Sequence, residues 1–138
     1  MYLLDTNVIV ELYRKQPHPS VIQWMNETVQ MNVPAYLSVL TLGEIQSGIR
    51  QLAPKDSDQA HLLAFKLQRI MESYADRILP IHAAVTLEWG NFLAIDKTVP
   101  IDALLAAQAK VYGLTLVTRN VKHIQAFNIS FFNPFTEK

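Results

Sequence analysis

Met1-Tyr-Leu-Leu-Asp-Thr-Asn-Val-Ile9 opens the chain with an apolar run that stops at one acid, Asp5, and resumes after Thr6 and Asn7. Met1–Leu4 reads as a short buried strand, and Val8–Lys15 as a helix that stops before Pro17 and Pro19. A carboxylate at the end of a buried strand is costly unless something uses it. In open α/β sheets, ligands sit at the carboxyl ends of the strands. Asp5 is therefore a candidate active-site acid, and strand followed by helix is the first unit of an α/β fold.

The rest of the chain repeats that unit. Ser20 opens a second helix with Gln23 three residues on, a capping-box pattern. Ala35–Leu40 reads as strand two, and Thr41-Leu-Gly-Glu44 as a second capping box that starts a helix to about Leu52. A loop over Pro54–Asp58 leads to an amphipathic helix over Gln59–Tyr74. Arg77–Ile81 reads as strand three and His82–Ile95 as a helix. Lys97–Pro100 is a loop, and Asp102–Tyr112 an apolar helix with Gly113 where a C-cap glycine belongs. Leu114–Thr118 reads as strand four, Val121–Ala126 as a helical turn and Ile129–Phe132 as strand five. Strands alternating with helices imply a mostly parallel sheet covered on both faces. The apolar faces of residues 20–30 and 59–74 read as ordinary core, with a dimer or antitoxin surface as the alternative.

Size and composition set limits. At 138 residues the chain suits one domain, residues 1–138, and half its residues are hydrophobic, enough for a substantial core. No apolar run approaches the roughly 20 residues that span a bilayer, so no membrane partner is expected. Signal-peptide features are missing, and there is no cysteine. Both fit a cytoplasmic protein, and the latter excludes disulfides and thiolate metal sites. Twelve basic residues balance twelve acidic ones. A neutral chain is a poor non-specific nucleic-acid binder, so any nucleic acid needs a local basic patch or a metal bridge.

Three acids stand at element junctions: Asp5 at the end of strand one, Glu44 in the first turn after strand two, and Asp102 at the start of the apolar helix. In a parallel sheet these junctions converge on one edge. Oxygen ligands there suit Mg²⁺ or Mn²⁺, which can polarise a phosphodiester and activate a bound water. Without a metal the carboxylates repel and one or more stays protonated. Each acid also has a plain structural reading. Glu44 completes a capping box, and Asp102 is a helix N-cap or first-turn acid favoured by the macrodipole. A fourth landmark is Leu116-Val-Thr-Arg-Asn-Val-Lys-His123. Its strand ends in Thr118, Arg119 and Asn120 at the same edge. Asn120 suits a metal or water contact through its amide oxygen, or a turn of unusual backbone angles. Arg119 suits a phosphate.

Taken together, Leu3-Leu-Asp-Thr-Asn-Val-Ile9, Leu37-Ser-Val-Leu-Thr-Leu-Gly-Glu-Ile45, Ile101-Asp-Ala-Leu-Leu-Ala-Ala107 and Leu114-Thr-Leu-Val-Thr-Arg-Asn120 resemble the PIN-domain nucleases. Within that family they are similar to the VapC and FitB-like toxins of toxin–antitoxin pairs. Phe132-Asn-Pro-Phe135 is similar to the family's Asn-Pro-Trp close. The resemblance covers essentially the whole chain. It implies a three-layer α/β/α sandwich around a parallel sheet of about five strands. It also implies an endoribonuclease dependent on Mg²⁺ or Mn²⁺, usually a homodimer, restrained by a small VapB-like antitoxin. On this pattern Asp5, Glu44 and Asp102 hold the metal. Asn120 joins them in the catalytic set, while Asn7, Thr118, Arg119 and His123 contact water or substrate. The family commonly carries a further acid at position 120 or 123, where this chain has Asn120 and His123. One negative charge fewer implies weaker metal binding at a second ion site and leaves the first intact, and His123 is a weak ligand, a phosphate contact when protonated, or a residue with no catalytic part. Arg14 and Arg50 are further candidate phosphate contacts.

Two other readings compete. An aspartate-nucleophile phosphatase wants a second Asp two residues after the first, and Asn7 stands there. A non-catalytic PIN module that binds RNA or a partner would tolerate the missing acid. The histidines at 18, 61, 82 and 123 lack ligand spacing, and Trp24 and Trp89 read as core or interface anchors within helices.

Overall fold

The computed structural model describes residues 1–136. Five strands form a single parallel sheet: β1 (Tyr2–Leu4), β2 (Ala35–Ser38), β3 (Ile78–Leu79), β4 (Thr115–Val117) and β5 (Phe131–Phe132). Their spatial order is β3-β2-β1-β4-β5, which puts β1 at the centre. The sheet therefore reverses winding direction at β1, and the crevice beside such a switch point is where parallel α/β folds place ligands. In register, Leu4 lies beside Val117. The residues that follow each, Asp5 and Thr118, emerge together at the carboxyl edge.

Helices cover both faces, making the three-layer α/β/α sandwich. On one side lie α1 (Thr6–Leu12), α2 (Pro19–Gln30), α3 (Val39–Leu52) and α4 (Ser57–Ser73). Leu4, Val8, Ile9, Val21, Leu37 and Ile70 are buried among them. On the other lie α5 (Ala83–Ile95), α6 (Pro100–Tyr112) and α7 (Val121–Ile124), followed by a 3₁₀ turn over Gln125–Phe127. Leu3, Val85, Leu105, Leu116 and Ile124 fill that second core. Leu3 and Leu4 are each fully buried, on opposite sides, because successive strand residues alternate faces.

Several boundaries differ from the sequence reading. α1 begins at Thr6 rather than Val8, because Asp5 itself is the N-cap and its Oδ1 accepts from Thr6 N at 2.7 Å. α3 begins at Val39 rather than Thr41. Its cap is Ser38, whose Oγ accepts from Leu40 N, so Thr41-x-x-Glu44 is no capping box. The Ser20–Gln23 box is not formed either: His18 caps α2 through Nδ1, with Pro19 in the first turn, and Gln23 turns to Glu27. α6 begins at Pro100, which leaves Asp102 in the first turn. Gly113 closes α6 with φ 69°, the left-handed C-cap its position implies. Strands β3 and β5 are two residues each, shorter than the apolar runs implied. The faces of α2 and α4 are only partly core, since Val29, Leu62 and Phe65 remain exposed. Among the described residues, no helix is long and apolar enough to cross a membrane.

Candidate active site

Asp5 is buried, and both of its oxygens are engaged. Oδ1 accepts from Thr6 N, and Oδ2 accepts from Thr118 Oγ1 at 2.6 Å and from Asn7 Nδ2 at 3.4 Å. Its carboxyl is raised to about 6 from 3.8. Burial is the main cause. The hydrogen bonds from Thr118 and Thr6 oppose it, and the charges of Asp102 and Glu44 add to it. Those two charges act on Asp5 because the fold delivers all three acids to one edge.

Each of the other two acids is held by one partner. Glu44 Oε1 accepts from Thr6 Oγ1 at 2.6 Å. The same hydroxyl lies 3.1 Å from Thr41 Oγ1, which is fully buried. A single hydroxyl proton serves the charged partner, where the bond is shorter and stronger. Glu44 therefore looks across to α1 instead of back to its own helix start. Asp102 Oδ2 lies 2.7 Å from His123 Nδ1 on α7. His123 is thus a support for Asp102, a role that spacing did not reveal. Among the described residues, the second oxygens of Glu44 and Asp102 make no hydrogen bond.

The polar strand end of β4 completes the edge. Thr118 is buried and also accepts from Asn120 N at 3.0 Å, so its hydroxyl ties the α7 start to Asp5. The Asn120 backbone has negative φ, so no unusual angle explains the residue. Arg119 N donates to Asn7 Oδ1 at 3.3 Å. Asn7 therefore bridges Asp5 and β4. Of the other candidate cations, Arg14 is paired with buried Glu11 at 3.2 Å. Arg50 lies in the last turn of α3, about 9 Å along the helix from Glu44.

Hard oxygen donors, two with a free oxygen and one with a raised proton affinity, fit Mg²⁺ or Mn²⁺ in chemistry. Among the described residues, no three His, Asp or Glu side chains close around a common point. Mg²⁺ commonly keeps several waters and is held by one or two carboxylates, so a closed all-protein cage is not required of these acids.

A doubly covered parallel sheet with acids converging on its carboxyl edge beside the central strand is the class of protein this fold and site define. Residues 2–126 match the PIN domain, and the chain belongs to that family. Toxin FitB of Neisseria gonorrhoeae is 33% identical over 141 residues, which cover 98% of this chain and 99% of FitB. The VapC ribonuclease Y4jK of Sinorhizobium fredii is 27% identical, covering 98% of each. The crystal structure of FitAcB from Neisseria gonorrhoeae superposes with a TM-score of 0.84 at 31% identity, covering 99% of this chain and 100% of that one.

Proposed function

We propose that this protein is the ribonuclease toxin of a toxin–antitoxin pair, cleaving RNA phosphodiesters with Mg²⁺ or Mn²⁺. The observation that carries the reading is Asp5, a buried acid at the sheet edge whose carboxyl is raised chiefly by its burial and further by the charges of Asp102 and Glu44. A fold retains such an unfavourable grouping where charge chemistry is wanted. The likeness to the VapC ribonuclease Y4jK supports RNA as substrate, and the likeness to FitB supports a toxin. A solved complex of VapBC2 from Rickettsia felis with promoter DNA has a TM-score of 0.72 at 25% identity, covering 96% of this chain. It supports a small VapB-like antitoxin as partner. α5 leaves Leu87 73% and Ile95 57% exposed, which supports a homodimer. The setting is the cytoplasm.

Asp5, Glu44 and Asp102 would hold the divalent ion, which when bound neutralises phosphate charge and lowers the pKa of a water. The chain's own groups keep the edge in order. Thr118 and Thr6 N fix the Asp5 carboxylate, the Thr6 hydroxyl fixes Glu44, and His123 fixes Asp102. The carboxylates orient water for in-line attack at phosphorus, Asn7 and Asn120 direct water or phosphate, and Arg119 carries positive charge to the same edge.

The test is cleavage of single-stranded RNA with Mg²⁺, Mn²⁺ or EDTA by the wild type and by Asp5→Asn. The reading requires metal-dependent cleavage that Asp5→Asn abolishes while folding is kept. RNA binding without cleavage in either metal would instead establish the non-catalytic PIN module.

A further inference from the structure

Phe135 lies in the Phe132-Asn-Pro-Phe135 close, outside the residues assigned to the site so far. Its ring is buried and packs edge-on to His18, with centroids 5.7 Å apart. The chain around it is fixed. Phe135 N donates to Asn133 Oδ1 at 2.9 Å, Thr136 Oγ1 donates to Asn133 O at 2.9 Å, and Pro134 restricts the turn. His18 is fixed as well, because Nδ1 caps α2 and its backbone N–H donates to buried Glu11. The ring is therefore a rigid platform.

Arg119 sits on that platform, its guanidinium carbon 4.3 Å from the ring centroid. Its backbone belongs to the catalytic edge through Asn7. Among the described residues, the guanidinium makes no ion pair or hydrogen bond, although three carboxylates stand at this edge. A cation–π contact uses up no hydrogen-bond donor of the guanidinium. Its N–H donors lie in the plane and stay open for a two-pronged contact with an oxyanion. Holding the long side chain on a ring also reduces the rotamer freedom lost when it binds.

We infer that Phe135 is a positioning residue that holds Arg119 so that its free edge receives a backbone phosphate of the RNA. This rests on the ribonuclease reading above. Neighbouring carboxylates would otherwise draw the cation across the site, and the aromatic face keeps it to one side. Phe135 itself touches no substrate.

The experiment is steady-state cleavage of a single-stranded RNA by the full chain with excess Mg²⁺. The variants are Phe135→Leu, Phe135→Trp, Arg119→Ala and the Phe135→Leu/Arg119→Ala double variant. Phe135→Leu keeps apolar bulk but loses the ring face. It is expected to raise KM about fivefold with kcat held, as loss of an exposed cation–π contact implies. Phe135→Trp restores KM, and in the Arg119→Ala background Phe135→Leu has no further effect. NMR supplies a readout independent of activity. The Arg119 δ-protons, shifted upfield by the ring in the wild type, return to their usual position in Phe135→Leu. Additive effects, or a KM unmoved by Phe135→Leu in an active protein, overturn the inference alone. A folded wild type that neither binds nor cleaves RNA overturns the ribonuclease reading and removes the ligand of the clamp. Should Phe135→Leu fail to fold, the exposed Arg119→Ala carries the test through Phe135→Trp in its background, where any KM difference between the two rings overturns the inference.

Discussion

Thr118 Oγ1 donates a 2.6 Å hydrogen bond to Asp5 Oδ2 across 113 residues of sequence. It is made possible by the register of β1 on β4, which ends both strands at the same level. The hydroxyl stabilises the charged form of Asp5 against a burial that disfavours it.

Thr118→Val tests that bond, because valine keeps the shape and removes the hydroxyl. Loss of a donor to the ionised carboxyl raises the Asp5 pKa further above about 6. The acidic limb of the pH–rate profile then moves to higher pH, and cleavage falls most at slightly acid pH. Stability falls by about 1–3 kcal/mol, since Asn120 N also loses its acceptor. A pH–rate series with urea unfolding checks both. An unmoved acidic limb would mean that Thr118 only supports the fold.

Asp5→Asn removes the charge. In the wild type without metal, the folded pKa of about 6 exceeds the ordinary aspartate value of 3.8. Below 3.8 both folded and unfolded chains are protonated and the acid costs nothing. As pH rises from there to about 6, the unfolded chain releases its proton first, so stability declines. Above 6 the full penalty, about 3 kcal/mol, is present. The variant lacks this decline and is the more stable protein at neutral pH in EDTA, although it is inactive. Urea unfolding at pH 4 and pH 7 in EDTA gives the comparison, and equal slopes for the two proteins would refute it.

Thr6→Val isolates Glu44. The Thr6 hydroxyl tethers that side chain by a 2.6 Å hydrogen bond to Oε1. Without it Glu44 is free to rotate away. Cleavage is expected to fall about tenfold, in the range seen when a group supporting a metal ligand is lost. Thr6→Ser, which keeps the hydroxyl, restores most of the rate. Circular dichroism would show both variants folded.

Much of this was legible in the chain. The element order follows from apolar runs broken by Pro, Gly and polar clusters, because burial decides which segments pair with the sheet. The three acids stood out because each interrupts apolar sequence. What could not be read were the partners that hold them. Thr6 meets Glu44 across 38 residues and Thr118 meets Asp5 across 113. Such meetings depend on sheet order, which local pattern does not contain. The caps misled for a related reason. Ser38 and Thr41 are both good N-cap residues, and burial of Thr41 against Thr6 decided between them. His123 showed no ligand spacing, because its partner Asp102 lies 21 positions away on another helix.

His123→Asp separates support from ligation. In the native protein the imidazole bonds Asp102 and leaves the edge with three acids. A carboxylate in its place faces Asp102 at close range, and Asp96 adds to the local negative field. The Asp96 carboxyl is held low chiefly by the Thr98 hydroxyl and amide, with a smaller contribution from His123 itself. In EDTA the added like charge lowers Tm below that of the wild type. With Mn²⁺ the order changes. An ion that binds only the folded state stabilises it according to its affinity, and a fourth oxygen donor raises that affinity. The rise in Tm on adding Mn²⁺ is therefore larger for His123→Asp than for the wild type, and the concentration for half the effect is lower. His123→Ala gives no such gain and loosens Asp102. Differential scanning fluorimetry across a Mn²⁺ titration compares all three proteins. An equal rise in wild type and His123→Asp would show that position 123 stands outside the ion's reach and serves Asp102 alone.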